Sequence, residues 1–136
     1  MKQELNINAT GLVFIKLIKN QSVIFEFKEE NLILQNAKKI LTRAIGGSDY
    51  HIDKIIAYFE GTPLAFVTPL TSEFPGGDDK VRLKGVFDEA SFNGTIDKLE
   101  LVSINGGVFS QLTDLIITKD DTSKLQIDWL ITINQI

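Results

Sequence analysis

Any chemistry in this chain has to start from one histidine. His51 stands alone among 136 residues that include no cysteine. It has no cysteine or serine arrangement nearby to make a nucleophile–base pair, and the usual zinc ligand sets cannot be completed without cysteine or further histidines. We read it as a surface or turn residue ahead of a strand. The acidic pairs Asp78-Asp79 and Asp120-Asp121 lack the alternating oxygen ligands and closing glutamate of a calcium loop. They read as turn acids, because aspartate hydrogen-bonds its own backbone in tight turns. The chain has 18 acidic residues, so some pair of carboxylates is always at hand and spacing alone makes no case for glycoside cleavage. The glycine pairs Gly46-Gly47, Gly76-Gly77 and Gly106-Gly107 match neither the G-x-x-x-x-G-K-[ST] phosphate cradle nor a G-x-G-x-x-G opening a helix. Tyr58 and Trp129 could form part of a sugar-stacking platform, but Trp129 shares its strand face with four aliphatic residues and reads as core. The expectation is a protein that is not an enzyme, with no catalytic, cofactor-binding or metal-binding residues.

The elements that would position these residues are mostly strands. Val13, Ile15 and Leu17 alternate on one face, and after the polar turn Lys19–Ser22 so do Val23, Phe25 and Phe27, which is the pattern of a β-hairpin. Its other face carries Leu12, Phe14 and Ile18 beside Lys16, Glu26 and Lys28, a mixture that suits a contact surface. One helix is expected over about residues 31–45. Ile33, Ala37, Ile40, Leu41 and Ala44 share a helical face, Asn31 serves as N-cap, and Gly46 is the left-handed residue that ends it. Burying that face would contribute roughly 5–10 kcal/mol before entropy is subtracted, so the helix has to pack on a sheet. A strand over Asp53–Glu60 follows, then a short edge strand between Pro63 and Pro69. Residues 68–80, with two prolines and two glycines, form a long loop, and loops of that length are usually functional. Strands from Val81, Thr95, Leu112 and Lys124 are separated by turns at Asn93-Gly94, Asn105–Gly107 and Asp120–Ser123, which implies an antiparallel meander. In the last strand Leu125, Ile127, Trp129, Ile131 and Ile133 point one way and form the expected face beneath the helix.

The length suits a single domain with a real core. The expected organisation is an N-terminal arm over residues 1–10 and one β-rich domain over 11–136, mainly β as a β-sandwich or antiparallel meander. The formal charge of −4 and a pI near 4.9 argue against a nucleic-acid partner. Charged residues and Lys16 and Lys19 interrupt the apolar N-terminal run, which argues against a signal peptide or a membrane span. Contacts with other proteins are expected at Leu12, Phe14 and Ile18 on the hairpin and at Phe74, Pro75, Asp78 and Asp79 in the 68–80 loop.

Four segments in fixed order, Asn31–Leu41, Ile55–Thr62, Asp88–Leu99 and Ile117–Asn134, carry a resemblance. Together they resemble a family of small bacteriophage tail and tail-fibre-associated structural proteins. In that family an N-terminal helix precedes a strand ending in Gly-Thr, then an acidic turn into N-G-T-I, and last an I-T-K strand followed by a long alternating one. Here Tyr58–Thr62 is bulkier than the family's usual turn, and the hairpin at 11–28 precedes the matching region. The resemblance implies a virion structural protein, made in the host cytoplasm, acting in the tail, baseplate or fibre attachment. Its implied partners are other virion proteins and further copies of itself in a symmetric ring or trimer, without nucleic acid, membrane or cofactor. It transfers no active-site residues. The alternative expectation is a β-sandwich module that binds a host-surface glycan through Tyr58 or Trp129.

Overall fold

The computed structural model describes residues 7–135. In chain order the elements are β1 (Ile7–Lys19), β2 (Ser22–Ile33), α1 (Ala37–Ile45), β3 (Ile52–Phe59), β4 (Thr62–Val67), β5 (Thr71–Glu73), β6 (Lys80–Phe87), β7 (Gly94–Ile96), β8 (Lys98–Ser103), β9 (Gly107–Leu112), β10 (Ile117–Lys119) and β11 (Ser123–Gln135). The protein is mainly β with a single short helix among the described residues. Nine strands form one antiparallel sheet in the order β4-β3-β8-β9-β2-β1-β11-β6-β5, while β7 and β10 pair separately.

That sheet curls into two layers because β2 belongs to both. From Ser22 to Asn31 it pairs with β1, and through Leu32 and Ile33 it pairs with β9. The β1–β2 hairpin forms as expected, turning at Asn20 and Gln21 with φ of 51° and 63°, the positive values that a two-residue primed turn requires. β11 returns along the whole of β1, from Ile7 opposite Gln135 to Lys19 opposite Ser123. The period-two alternation then sets inward rows across three strands, Val13–Trp129–Leu83 and Leu17–Leu125–Phe87, all buried. Ile55, Ala57, Leu99 and Leu101 supply the buried face of the other layer. Between those rows lies Ile15–Ile127–Gly85. A Cβ on Gly85 would sit 2.5 Å from Val67 Cγ1 and 3.0 Å from Leu70 Cδ2. Glycine at this point lets the crossover from β4 to β5 pass tightly against β6.

Several expectations are corrected. The helix starts at Ala37, not Asn31, because Leu32 and Ile33 are held in the ladder with β9. Asn36 precedes the helix, and its side-chain amide donates to the carbonyls of Gly106 and of Val108, the latter at 3.1 Å. Gly46 has φ of −76°, and the left-handed residue is Gly47 at +90°. Ala37 and Ile40 are buried and Ile33 packs partly against the core, but Leu41 is 41% exposed. The chief neighbour of α1 is β9 and not β11; Ile40 also meets Gly106 in the β8–β9 turn. Leu125, Ile127, Trp129 and Ile131 are buried on the inner face, while Ile133 is 37% exposed. The meander is also corrected. Asn93-Gly94 does not turn one hairpin, because β6 pairs with β11 and β5 whereas the chain after it divides into β7, paired with β10, and β8, paired with β3 and β9. The 68–80 stretch contains β5, which makes a hairpin with β6. β1 takes in Ile7–Thr10 of the expected arm, and residues 1–6 lie outside the described residues.

Candidate interaction surfaces

The expected contact residues fall into two groups that the fold keeps apart. Leu12, Phe14 and Ile18 are half-buried on the outer face of β1. Leu12 heads a cross-strand row with Leu130, Arg82 and Glu73. Phe74 follows Glu73 at the β5–β6 turn, so it stands three strands, or about 14 Å, from β1. Ile18 lies six residues further along β1, about 20 Å away. At the turn Phe74 is 74% exposed, Pro75 is half-buried, and Asp78 and Asp79 are exposed. The turn is anchored where the Ile133 N–H donates to the Asp79 carbonyl at 2.8 Å. On the outer face, Lys84 at 3.0 Å holds the Glu73 carboxyl below the ordinary range, assisted by Arg82 at 3.6 Å.

One acid of each pair has a partner close by in sequence: the Lys80 ammonium lies 3.2 Å from Asp79, and Asp120 is held by its own turn. Asp120 Oδ1 accepts from the Thr122 hydroxyl at 2.6 Å and its N–H at 2.9 Å. Those bonds hold its carboxyl far below the usual range. His51 is exposed, with Nδ1 2.5 Å from Asp49 Oδ1. The Ser103 hydroxyl is committed to backbone, donating to the Tyr50 carbonyl at 2.8 Å and accepting the Gly106 N–H. Among the described residues no three His, Cys, Asp or Glu side chains converge as metal ligands would.

The aromatic platform is not assembled. Trp129 is fully buried in the core. Tyr58 lies half-buried on the outer face of β3, with the Lys98 ammonium 4.3 Å above its ring. Burial, with a hydrogen bond to Glu100, pushes its phenol up to about 12. Phe66, opposite Ile56 on β4, is 60% exposed, and Lys54 covers its ring at 5.0 Å.

Two features escaped the sequence reading. The first is Lys119, buried completely at the end of β10. Its ammonium donates to the carbonyls of Glu89 at 3.0 Å, Phe92 at 2.9 Å and Asp120 at 2.9 Å, so all three of its donors are used. Burial lowers its pKa, with the nearby acids Asp88 and Asp120 opposing that effect. The second is the hairpin end. A bulge between Leu17 and Ile18 sets Val23 opposite outward-facing Ile18 and Phe25 opposite Leu17. Val23, Ile24 and Phe25 are 49%, 56% and 45% exposed, Val23 because the bulge turns it outward, although Val23 and Phe25 share one face of the hairpin by alternation. The run of three apolar residues directly after the turn, which breaks the alternation, was the available signal.

Beside that exposed stretch runs a groove of about 540 Å³, between β2 and the segment that leads from β9 to β10. Phe25, Phe27 and Glu29 line it from β2, and Asp114, Leu115 and Ile117 from the other side. Asp114 turns the segment with φ of +60°, and Ile116 is 87% exposed at its rim. No family model, curated protein or solved structure matches the chain.

Proposed function

We propose that the protein is a structural component of a bacteriophage tail, in the baseplate, the fibre attachment or an adaptor, and that it works by protein–protein assembly. The observation that carries this reading is the order of the four resembling segments, two of which are in direct contact. Within Asp88–Leu99 and Ile117–Asn134, the N-G-T-I and I-T-K pieces pair as β7 and β10, Ile96 opposite Ile117 and Gly94 opposite Lys119. Lys119 then ties the acidic turn at 88–92 to the start of the last strand through its three carbonyl contacts. A motif that joins distant segments through a buried ammonium gives those residue types a common structural task.

Assembly also suits the surface. Val23, Ile24, Phe66, Phe74 and Ile116 are all large apolar side chains about half or more exposed, at the hairpin end, on the outer face of β4, at the β5–β6 turn and on the groove rim. A rigid β domain with several such contacts can serve as a joint repeated around a symmetric ring or trimer. The test is native mass spectrometry of the protein alone and mixed with the other structural proteins of its virion. The expected result is a defined oligomer or a complex with at least one of them. A monomer that binds none of them, and that is missing from purified particles, overturns the proposal.

A further inference from the structure

We propose that the free edge of β2 is a strand-addition site, and that its occupant is an extended segment of a partner protein with alternating apolar side chains and at least one lysine or arginine. This deepens the assembly reading by naming the surface and the chemistry of the partner, and it rests on that reading only in taking the occupant to be a protein.

The argument starts from the backbone. From Ser22 to Glu30, β2 is paired on one side by β1, and its only other ladder is the short one with β9 at Leu32 and Ile33. Among the described residues the other edge of that stretch therefore presents unpaired N–H and C=O groups. The two terminal strands of the sheet are blunted in the ways that natural edges are. β4 carries Pro63 and a register break at Ala57/Tyr58 of its partner, and β5 is three residues long. β2 is long, begins Ser-Val-Ile-Phe, and has no proline. It is an edge left open.

The groove beside it is shaped for side chains of an added strand. Phe25 and Phe27 face into it with ring centroids 5.4 Å apart, and Leu115 and Ile117 form its opposite wall. Residues at every second position of an incoming strand would reach that apolar surface, while its backbone pairs with β2. The charges select the occupant. Glu29, Glu30 and Asp114 line the groove, and no lysine or arginine does. A second copy of β2 would bring Glu26, Glu29 and Glu30 with only Lys28 to offset them, so like charges would meet. A basic strand is the complement.

The test uses the full chain, isotope-labelled, and three synthetic nine-residue peptides. One is Lys-Val-Thr-Val-Lys-Val-Thr-Val-Lys, the second has Glu in place of each Lys, and the third is the first with alternate backbone nitrogens methylated. The expected result is slowed amide exchange and shifted resonances over Ser22–Glu30 with the lysine peptide. Its affinity should exceed that of the glutamate peptide at least tenfold, with most of that margin lost at about 1 M salt, and methylation should abolish binding. Glu26→Lys combined with Glu30→Lys, both exposed and on the face to which the alternate lysines of the peptide point, should reverse the preference. Phe25→Thr, which removes the ring without adding charge, should weaken binding at least tenfold without changing the melting temperature. Shifts confined to another surface, equal affinity for the acidic peptide, or β2 shifts from self-association without peptide each overturn the proposal. Virion-protein complexes that persist when no peptide engages β2 would overturn the edge and leave the assembly reading standing. Peptide binding by a protein that joins no virion complex would do the reverse.

Discussion

Single residues matter most here where a polar group is buried with its partners. Lys119 is completely inaccessible, and its ammonium is the shared donor for three carbonyls of two separate turns. Lys119→Met keeps the stem and leaves those carbonyls without a partner. The expected cost is about 3 kcal/mol, read as a lower urea midpoint. Arginine should not rescue it, because a planar guanidinium cannot aim at three carbonyls arranged around an ammonium. A loss below about 1 kcal/mol would show that the carbonyls find other donors. Tyr58 provides a pH signature. Its ordinary pKa of 10.0 is raised in the fold to about 12. Below pH 10 both the folded and the unfolded chain hold the phenolic proton. Between about 10 and 12 only the folded chain holds it, so this group's stabilisation is lost as pH rises through that window. Ultraviolet titration in a Tyr50→Phe background should show ionisation near 12. Glu100→Gln should bring that value down, since the Glu100 charge opposes the phenolate, and Tyr58→Phe should remove this part of the alkaline loss.

At the scale of elements, α1 behaves as a clasp over the β8–β9 turn. It buries only Ala37 and Ile40, and its start is tied to that turn by the Asn36 amide. Ile40 at 2% exposure and Ile45 at 88% make an internal control. Ile40→Ala should cost about 2–4 kcal/mol, and Ile40→Asp should abolish folding, since it buries a charge without a partner. Ile45→Ala should stay within about 0.5 kcal/mol. Chemical denaturation measures both, and equal losses at the two positions would show that the helix is not clasped through Ile40. The β1–β2 hairpin is the complementary case, held firmly where β1 and β11 pair and open where β2 overhangs. Its inward residues Val13 and Ile15 are fully buried, while Phe25 on the same face is half-exposed.

At the scale of the whole molecule, the longest ladder joins the two ends of the described chain. β1 and β11 pair over thirteen positions, from Ile7↔Gln135 to Lys19↔Ser123, so the central strands of one layer cannot meet until the rest of the chain has been gathered between them. Loop closure of that length must be achieved before its contacts stabilise anything, which slows folding. Stopped-flow refolding monitored by Trp129, which goes from solvent to full burial, should proceed in milliseconds to seconds. A microsecond phase carrying the full amplitude would show that the core forms without this pairing. The same closure explains why the surface expected to mediate contacts is divided. The outer face of β1 and the β5–β6 turn lie in one layer but are separated by β11 and β6.

What the sequence determined by itself is the local part: the alternation that places Val13, Ile15, Leu17, Leu125, Ile127 and Trp129 inside, the turns at Asn20-Gln21 and Asn105–Gly107, and a helix around Ile40. These depend on side-chain period and backbone preference within a few residues. The exposed Phe74 turn was legible for the same reason. Strand pairing is settled by the folded chain as a whole. Asn31–Ile33 reads as the start of a helix until β9, nearly eighty positions later, draws Leu32 and Ile33 into a ladder. Asn93-Gly94 reads as a hairpin turn until β7 is claimed by β10. Val23, Phe25 and Phe27 read as one face of the hairpin until a bulge turns Val23 outward and an absent neighbour leaves Phe25 half-exposed. Lys119 and the open edge of β2 belong to this second class. A lysine's three carbonyls and a strand's missing partner are relations between distant parts of the chain, which no local pattern records.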